Sequence, residues 1–340
     1  AQNGTELIHI IGTGMGHKYE PDAKSEVSRR IDRLAQLGRD YMWNHDGFGT
    51  HSLKTHRSRW VRMDGLSEHW QYAGITATLA GEKLLVQTGN VTAFTVFDEP
   101  GDTRLRLLHT STDIMIDGKD ITVAKPARSD WSWEVSFIKK DDKWQEGRLE
   151  GLRKKPNLQG PIDDAFMDSF IFVRPTGQAA SEKAGAWAKA ELDRAIEHWR
   201  RHFRGEARVK DDTAITEGDI KSANLILWGD PSSNSLIAKT AAQLPIAWTG
   251  SEIKAGDKTF PAADHALICI YPNPLNPERY LVLNSSFTFR EYDYLNNARQ
   301  TPKLPDWAVI DLNQAPNART PGRIAAADFF GEKWELKPGS

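Results

Sequence analysis

One histidine near the start of the chain stands where an acid–base catalyst would. In "HIIGTGMGHKYEP", His9 to Pro21, an apolar run enters a glycine-rich loop that delivers His17. A serine hydroxyl is a weak nucleophile until a neighbouring imidazole takes its proton, and an imidazole titrating near pH ~6.5 does this at neutral pH. Such a base belongs on a loop at the carboxyl end of a strand, and Gly14 and Gly16 allow this loop to turn tightly and aim the ring. His17 is therefore the candidate catalytic residue, with a plain loop histidine as the other reading of the same letters. His9, inside the apolar run, reads instead as a buried core residue.

Other groups could do chemistry, and each has a structural reading beside it. His45, His51 and His56 in "HDGFGTHSLKTH" could ligate zinc, but they form no helical i, i+4 pair and have no cysteine near them; no metal and no cofactor is expected. In "LWGDPSSNSLIAK" a strand ends at Gly229, and Pro231 can open a helix whose free N–H groups would hold an anion. A capped strand-to-helix turn explains the same residues. "HWRRHFRGEAR" places Arg200, Arg201 and Arg204 near a helix C-terminus, where cations oppose the dipole. Trp131, Trp133 and Trp144 read as core or cross-strand residues, with a carbohydrate platform as the alternative. The single cysteine, Cys269, excludes an internal disulfide and lies in the apolar "ALICIY", where an inert buried thiol is expected.

The elements that must position these groups follow from periodicity. "TELIHIIG" reads as a strand buried on both faces. Asp22 can cap a helix with apolar Val27, Ile31 and Leu34, stopped by Gly38. From Leu53 to Trp144 the period falls to two, in segments joined by Ala80-Gly81, Gly89-Asn90, Asp117-Gly118 and Asp141-Asp142, which predicts a small antiparallel sandwich. "EGRLEGLRKKPNLQGPIDD" is polar and broken by Gly and Pro, so it reads as a linker with a boundary near Gly160. Beyond it "DSFIFVRP", "ANLILWG", "HALICIY", "RYLVLNS" and "DWAVIDL" read as strands, and Ala184, Ala188, Leu192, Ile196, Trp199 and Phe203 as a helix stripe. The expected fold class is α/β. Residues 1–45 would be the end of an α/β-hydrolase sheet, 46–150 a β-sandwich-like domain, and 160–340 a three-layer α/β domain with a mostly parallel sheet.

The His17 region resembles the last catalytic segment of an α/β-hydrolase of the prolyl-oligopeptidase group, in which a Gly-His follows the final strand and precedes the last helix. "GHKYEPDAKSEVSRRID", "GPIDDAFMDSFIFVRPTG", "EHWRRHFRGEARVKDD", "NLILWGDPSSNSLIAK", "YPNPLNPERYLVLNSSFTFREYDYLNNARQ" and "FFGEKWEL" together resemble the C-terminal half of large bacterial, planctomycete-type serine peptidases or esterases of that family. The resemblance implies a serine hydrolase acting on a peptide or ester, with His17 as general base and accessory domains behind it. Triad order in that fold is Ser, Asp, His, so the resemblance places the other two residues in a missing N-terminal portion of the same protein. No G-x-S-x-G occurs in the 340 residues, and the serines of "GDPSSNS" and "LNSSFT" lack the flanking glycines of a nucleophile elbow. The alternative is a non-catalytic α/β module that binds a ligand or partner beside an inactive hydrolase end.

Composition narrows the partners. With 39% hydrophobic residues, 26% charged and a net charge of −2, the chain has no overall basic field for nucleic acid. Its apolar runs are far shorter than the roughly 20 residues of a membrane helix. The family resemblance suggests a periplasmic or extracellular setting, and a chain opening on Ala1 suggests processing or a longer parent.

Overall fold

The computed structural model describes residues 8–38, 45–81, 83–100, 112–123 and 128–339. Of these, 36% lie in strands and 23% in helices. Residues 8–20 form an irregular, mostly exposed segment, and His9 lies on the surface. Residues 5–7 of the expected first strand lie outside the described residues; in its described part, residues 8–12, no strand forms.

Helix α1, Pro21–Leu37, starts two residues earlier than the Asp22 cap would give, because the Glu20 carboxylate takes the Asp22 and Ala23 N–H groups at 3.1 and 2.9 Å. It ends at Gly38, whose φ of 69° is open to glycine at little cost. Only Ala23 is buried; Ile31, Leu34 and Leu37 are 59–70% exposed.

Ten strands follow: β1 His45–Thr50, β2 Arg57–Ser58, β3 Val61–Leu66, β4 Ala73–Ala80 and β5 Lys83–Gly89, then β6 Val91–Asp98, β7 Thr112–Ile116, β8 Lys119–Val123, β9 Trp133–Lys140 and β10 Lys143–Glu146. They pair in two sheets, β1-β4-β5-β7-β8 and β10-β9-β6-β3-β2, antiparallel except for β5 with β7. Alternate residues point into one shared core: Ile75, Ala77, Leu84, Val86 and Ile114 from the first sheet meet Met63, Phe94, Val96, Val135 and Phe137 from the second. Trp133 and Trp144 belong to that core, while Trp131 is half exposed.

The second half is built on a seven-stranded sheet. Its strands are β11 Phe170–Arg174, β12 Val209–Asp211, β13 Asn224–Leu227, β17 His265–Asn273, β18 Asn276–Leu283, β19 Trp307–Asp311 and β20 Arg323–Asp328. The short strands β14 Ala247–Trp248, β15 Glu252–Ala255 and β16 Lys258–Pro261 make a separate antiparallel sheet. The large sheet runs β12-β11-β13-β18-β17-β19-β20. Its first four strands are parallel, and β17, β19 and β20 pair antiparallel. Helix α2, Glu182–Phe203, lays Trp187, Ala188, Leu192 and Ala195 into the core, while α3, Glu217–Ser222, and α4, Ser235–Thr240, are short.

The expected α/β class with a mostly parallel, three-layer C-terminal domain is therefore wrong: the protein is mostly β, with several mixed and antiparallel sheets. The reason is connection length. Only Pro274 and Leu275 separate β17 from β18, whereas a parallel crossover needs a dozen or more residues. Each strand buries an unbroken stretch, Ala266–Tyr271 in β17 and Tyr280–Leu283 in β18, so the composition of these stretches carries no sign of direction.

The polar stretch after β10 is not a free linker. Lys154 is 1% exposed and its Nζ meets Asp306 Oδ2 at 2.6 Å, with neither side chain reaching water. Asp306 also accepts Phe330 N–H at 2.9 Å, and burial pushes its carboxyl up against the pull of Lys154. The sandwich is fastened to this seam. His69 Nδ1 lies 2.8 Å from Glu332, whose carboxyl burial would raise but whose hydrogen bonds from His69 hold low. Lys54 Nζ meets Asp164 Oδ1 at 2.8 Å, and Trp70 packs on Phe329 at 5.3 Å between centroids.

Removing one partner of a dry ion pair strands the other charge. Lys154→Met should cost about 3–5 kcal/mol in chemical denaturation followed by circular dichroism. The double variant Lys154→Met/Asp306→Asn should recover a large part of that loss. Equal stability of the wild type and the single variant would show that the pair does not hold the two halves.

Candidate functional site

His17 sits on the exposed loop that leads into α1. Gly14 turns that loop with a φ of 70°, where a side chain would be strained, and a Cβ at Gly14 or Gly16 would meet nothing within 4 Å. Among the described residues no hydrogen bond or ion pair engages the His17 ring.

The large sheet offers a second place for chemistry. The chain passes from β11 out to β12 on one side and then to β13 on the other, so the loops after β11 and β13 diverge at a reversal of strand order, the usual place for a ligand in an open α/β sheet. Here that crevice is stitched shut. Asp230 accepts Ala180 N–H at 2.9 Å, and from its own loop Ser232 N–H, Ser233 N–H and the Ser233 hydroxyl at 2.8–2.9 Å. Asn284 bridges Gly229 N–H and C=O at 2.8 and 2.9 Å. Trp187 and Trp248 fill the rest, leaving a cavity of about 20 Å³, room for about one water.

The anion site suggested by "LWGDPSSNSLIAK" is not assembled. The helix opens at Ser235, not at Pro231, and has six residues. Its first N–H groups are taken, Ser235 by Asp212 at 2.7 Å and Leu236 and Ile237 by Asn234 at 3.0 and 3.3 Å. Asp230 puts a negative charge where a phosphate would have to lie. Among the described residues no group of three His, Cys, Asp or Glu could hold a metal. His45 bonds Thr78, His51 stacks edge-on to Tyr72, and burial lowers the His56 pKa. Arg200, Arg201 and Arg204 lie at the exposed end of α2, and Cys269 is buried with its thiol pushed well up.

Charged groups that the sequence reading passed over hold the segment after β18. Arg290 clasps Glu191 of α2 in a buried two-pronged pair at 2.7 and 3.0 Å. Asp163 accepts Thr288 N–H at 2.9 Å and the Thr288 hydroxyl at 2.6 Å, and the Thr288 oxygen accepts Lys303 N–H at 2.7 Å. Beside them His198 is buried against Phe287, Phe289 and Tyr294; burial, with Arg194 adding, drives its pKa down to about 2. The available signal was "FTFREYDY", a charged residue inside an aromatic run, which implies a partner in the core. An open groove of about 360 Å³ lies at the opposite end of the sheet, floored by Phe170 and Trp199 and rimmed by Asp168 and Arg208. Its charges are already engaged, Asp168 by Arg279 and Arg208 by Ser169.

No family model matches the chain, and no curated protein or solved structure matches it either.

Burial holds the Asp163 carboxyl up to about 6 against the hydrogen bonds from Thr288. Between about pH 4 and 6 the folded protein thus binds a proton that the unfolded chain releases, so the stability contributed by Asp163 falls as pH rises through that window. From pH 4 to pH 7 the stability of Asp163→Asn relative to wild type should shift by roughly 2–3 kcal/mol in favour of the variant. Urea denaturation at a series of pH values measures this; a difference that stays constant with pH would mean that Asp163 does not titrate there.

Proposed function

We propose that this chain supplies the general base of a serine hydrolase, a peptidase or carboxylesterase, and that His17 is that base. The observation that carries the reading is the presentation of His17: an exposed imidazole on a glycine-turned loop directly ahead of a helix. That helix keeps Ile31, Leu34 and Leu37 in solvent, an apolar side suited to packing on a further part of a hydrolase sheet. The resemblance of "GHKYEPDAKSEVSRRID" to the final segment of prolyl-oligopeptidase-type hydrolases points the same way.

With no nucleophile elbow in the 340 residues, the serine and the carboxylate come from outside them. His17 would take the serine proton through one ring nitrogen and return it to the leaving group, while a carboxylate on the other nitrogen fixes the tautomer. The sandwich and the mixed-sheet half act as accessory bodies around that centre, and the substrate is a peptide or an ester. The setting in this reading is periplasmic or extracellular.

The reading fixes two outcomes. The 340-residue chain alone should not be labelled by a fluorophosphonate probe. A polypeptide extended to include the upstream serine and aspartate should hydrolyse p-nitrophenyl acetate, and His17→Ala should lower its kcat on the order of 10⁴-fold with thermal stability unchanged. Labelling of a serine in the isolated chain, or a folded His17→Ala enzyme with wild-type kcat, would overturn the assignment.

A further inference from the structure

The outer face of the first sandwich sheet carries a feature that the hydrolase reading does not use. Ala73, Ile75 and Ala77 of β4 point into the core, so Gly74, Thr76 and Thr78 point outward. Gly49 of β1 pairs with Gly74, and Gly74 pairs with Gly89 of β5. Three adjacent strands thus place glycine in one row, and the row is a shallow trough floored by backbone. Two residues further along each strand, Gly47, Thr76 and Gln87 form the next row on the same face.

A single aromatic ring lies in this trough. A Cβ at Gly49 would overlap the Tyr72 ring, and one at Gly74 would lie 3.3 Å from it, so the hydroxyl end of the ring reaches over the Gly49–Gly74 pair. Tyr72 is nevertheless 65% exposed, so much of its ring surface is available to a ligand. His51 stands edge-on to it with centroids 5.7 Å apart. At Gly89 the trough is empty, for a Cβ there would meet nothing within 4 Å.

We infer that this trough is a binding site for a neutral oligosaccharide, with the exposed Tyr72 ring as its stacking platform. The negative face of an aromatic ring attracts the slightly positive C–H edges on one side of a pyranose, and a floor without side chains lets a broad, flat ligand approach. Thr76, Gln87 and His51 are exposed around the ring and offer both donors and acceptors to sugar hydroxyls. The charge balance selects within the class. Thr76 and Gln87 carry no charge, and the acidic side chain bordering the Gly89 end, Asp117, accepts Thr88 N–H at 2.8 Å, so a uronate or phosphate meets a like charge there and a neutral sugar does not. The inference is independent of His17.

Affinity electrophoresis of the whole chain in native gels containing hydroxyethylcellulose, galactomannan, arabinoxylan or polygalacturonate tests it. Retardation by at least one of the three neutral polymers, and not by polygalacturonate, is expected. Tyr72→Ala should weaken the retardation at least tenfold, and Tyr72→Phe should keep it. Because a ring over glycines also supports the strands, Gly89→Thr serves as the second variant: its side chain enters open space, suits a strand, and obstructs the trough without disturbing the fold. It should lose retardation with an unchanged melting temperature. Absence of retardation by every neutral polymer, equal retardation by polygalacturonate, or undiminished binding by Tyr72→Ala or by a folded Gly89→Thr would overturn the proposal.

Discussion

Lys154 and Asp306 meet 2.6 Å apart with no water at either side chain, and the two halves of the protein are organised around that contact. Neither charge is tolerable there alone, because each has given up its hydration. The pair draws the stretch after β10 into the second half, where Gln159 N–H and Gly160 N–H donate to the Tyr280 hydroxyl at 2.6 and 3.0 Å. Tyr280 donates onward to Asp164 at 2.7 Å, and Asp164 holds Lys54 of the sandwich. On the other side Phe330 N–H reaches Asp306, and Glu332 two residues later receives His69. One buried contact thus connects two polar chains that end on the same sandwich.

This arrangement gives the functional surfaces their roles. The strand-order reversal in the large sheet, a common place for a ligand, is spent on structure: Asp230, Asn284 and two tryptophans close it. Arg290 and Glu191 lock the segment after β18 to α2, and Asp163 ties it to the stretch before β11. Besides the groove over Phe170 and Trp199, what remains open lies on the His17 loop and on the outer face of β1, β4 and β5. Both proposed sites, the His17 base and the Tyr72 trough, lie at the periphery, away from the buried polar contacts that hold the two halves.

The sequence disclosed these features unevenly, for physical reasons. In β6, "VTAFTVFD" bears the β-branched and aromatic residues that a strand packing on a sheet requires, and α2 shows the helical stripe of a surface helix. Runs apolar on both faces, such as "HALICIY" and "RYLVLNS", announce burial but not direction, and their short connection was the only cue that they pair antiparallel. Lys154 was concealed because a lysine between glycines and prolines looks solvated, and its partner is 152 residues away. His9 misled in the opposite sense: apolar neighbours suggest a core, but burial needs a second layer, which no described residue supplies. Tyr72 gave no periodic signal, because its role depends on glycines that meet only when β1 and β4 pair.

Native-state hydrogen exchange at increasing denaturant tests most directly whether the seam makes the two halves one body. The amides to follow are Lys154, bonded to Glu332 C=O; Phe330, bonded to Asp306; and His69, bonded to the Glu332 side chain. A shared seam predicts that all three open with one free energy and one denaturant dependence, together with the central strands on either side. Rapid, denaturant-independent exchange at Lys154 while Phe330 stays protected would contradict it, leaving the stretch after β10 an ordinary linker and the two halves independent.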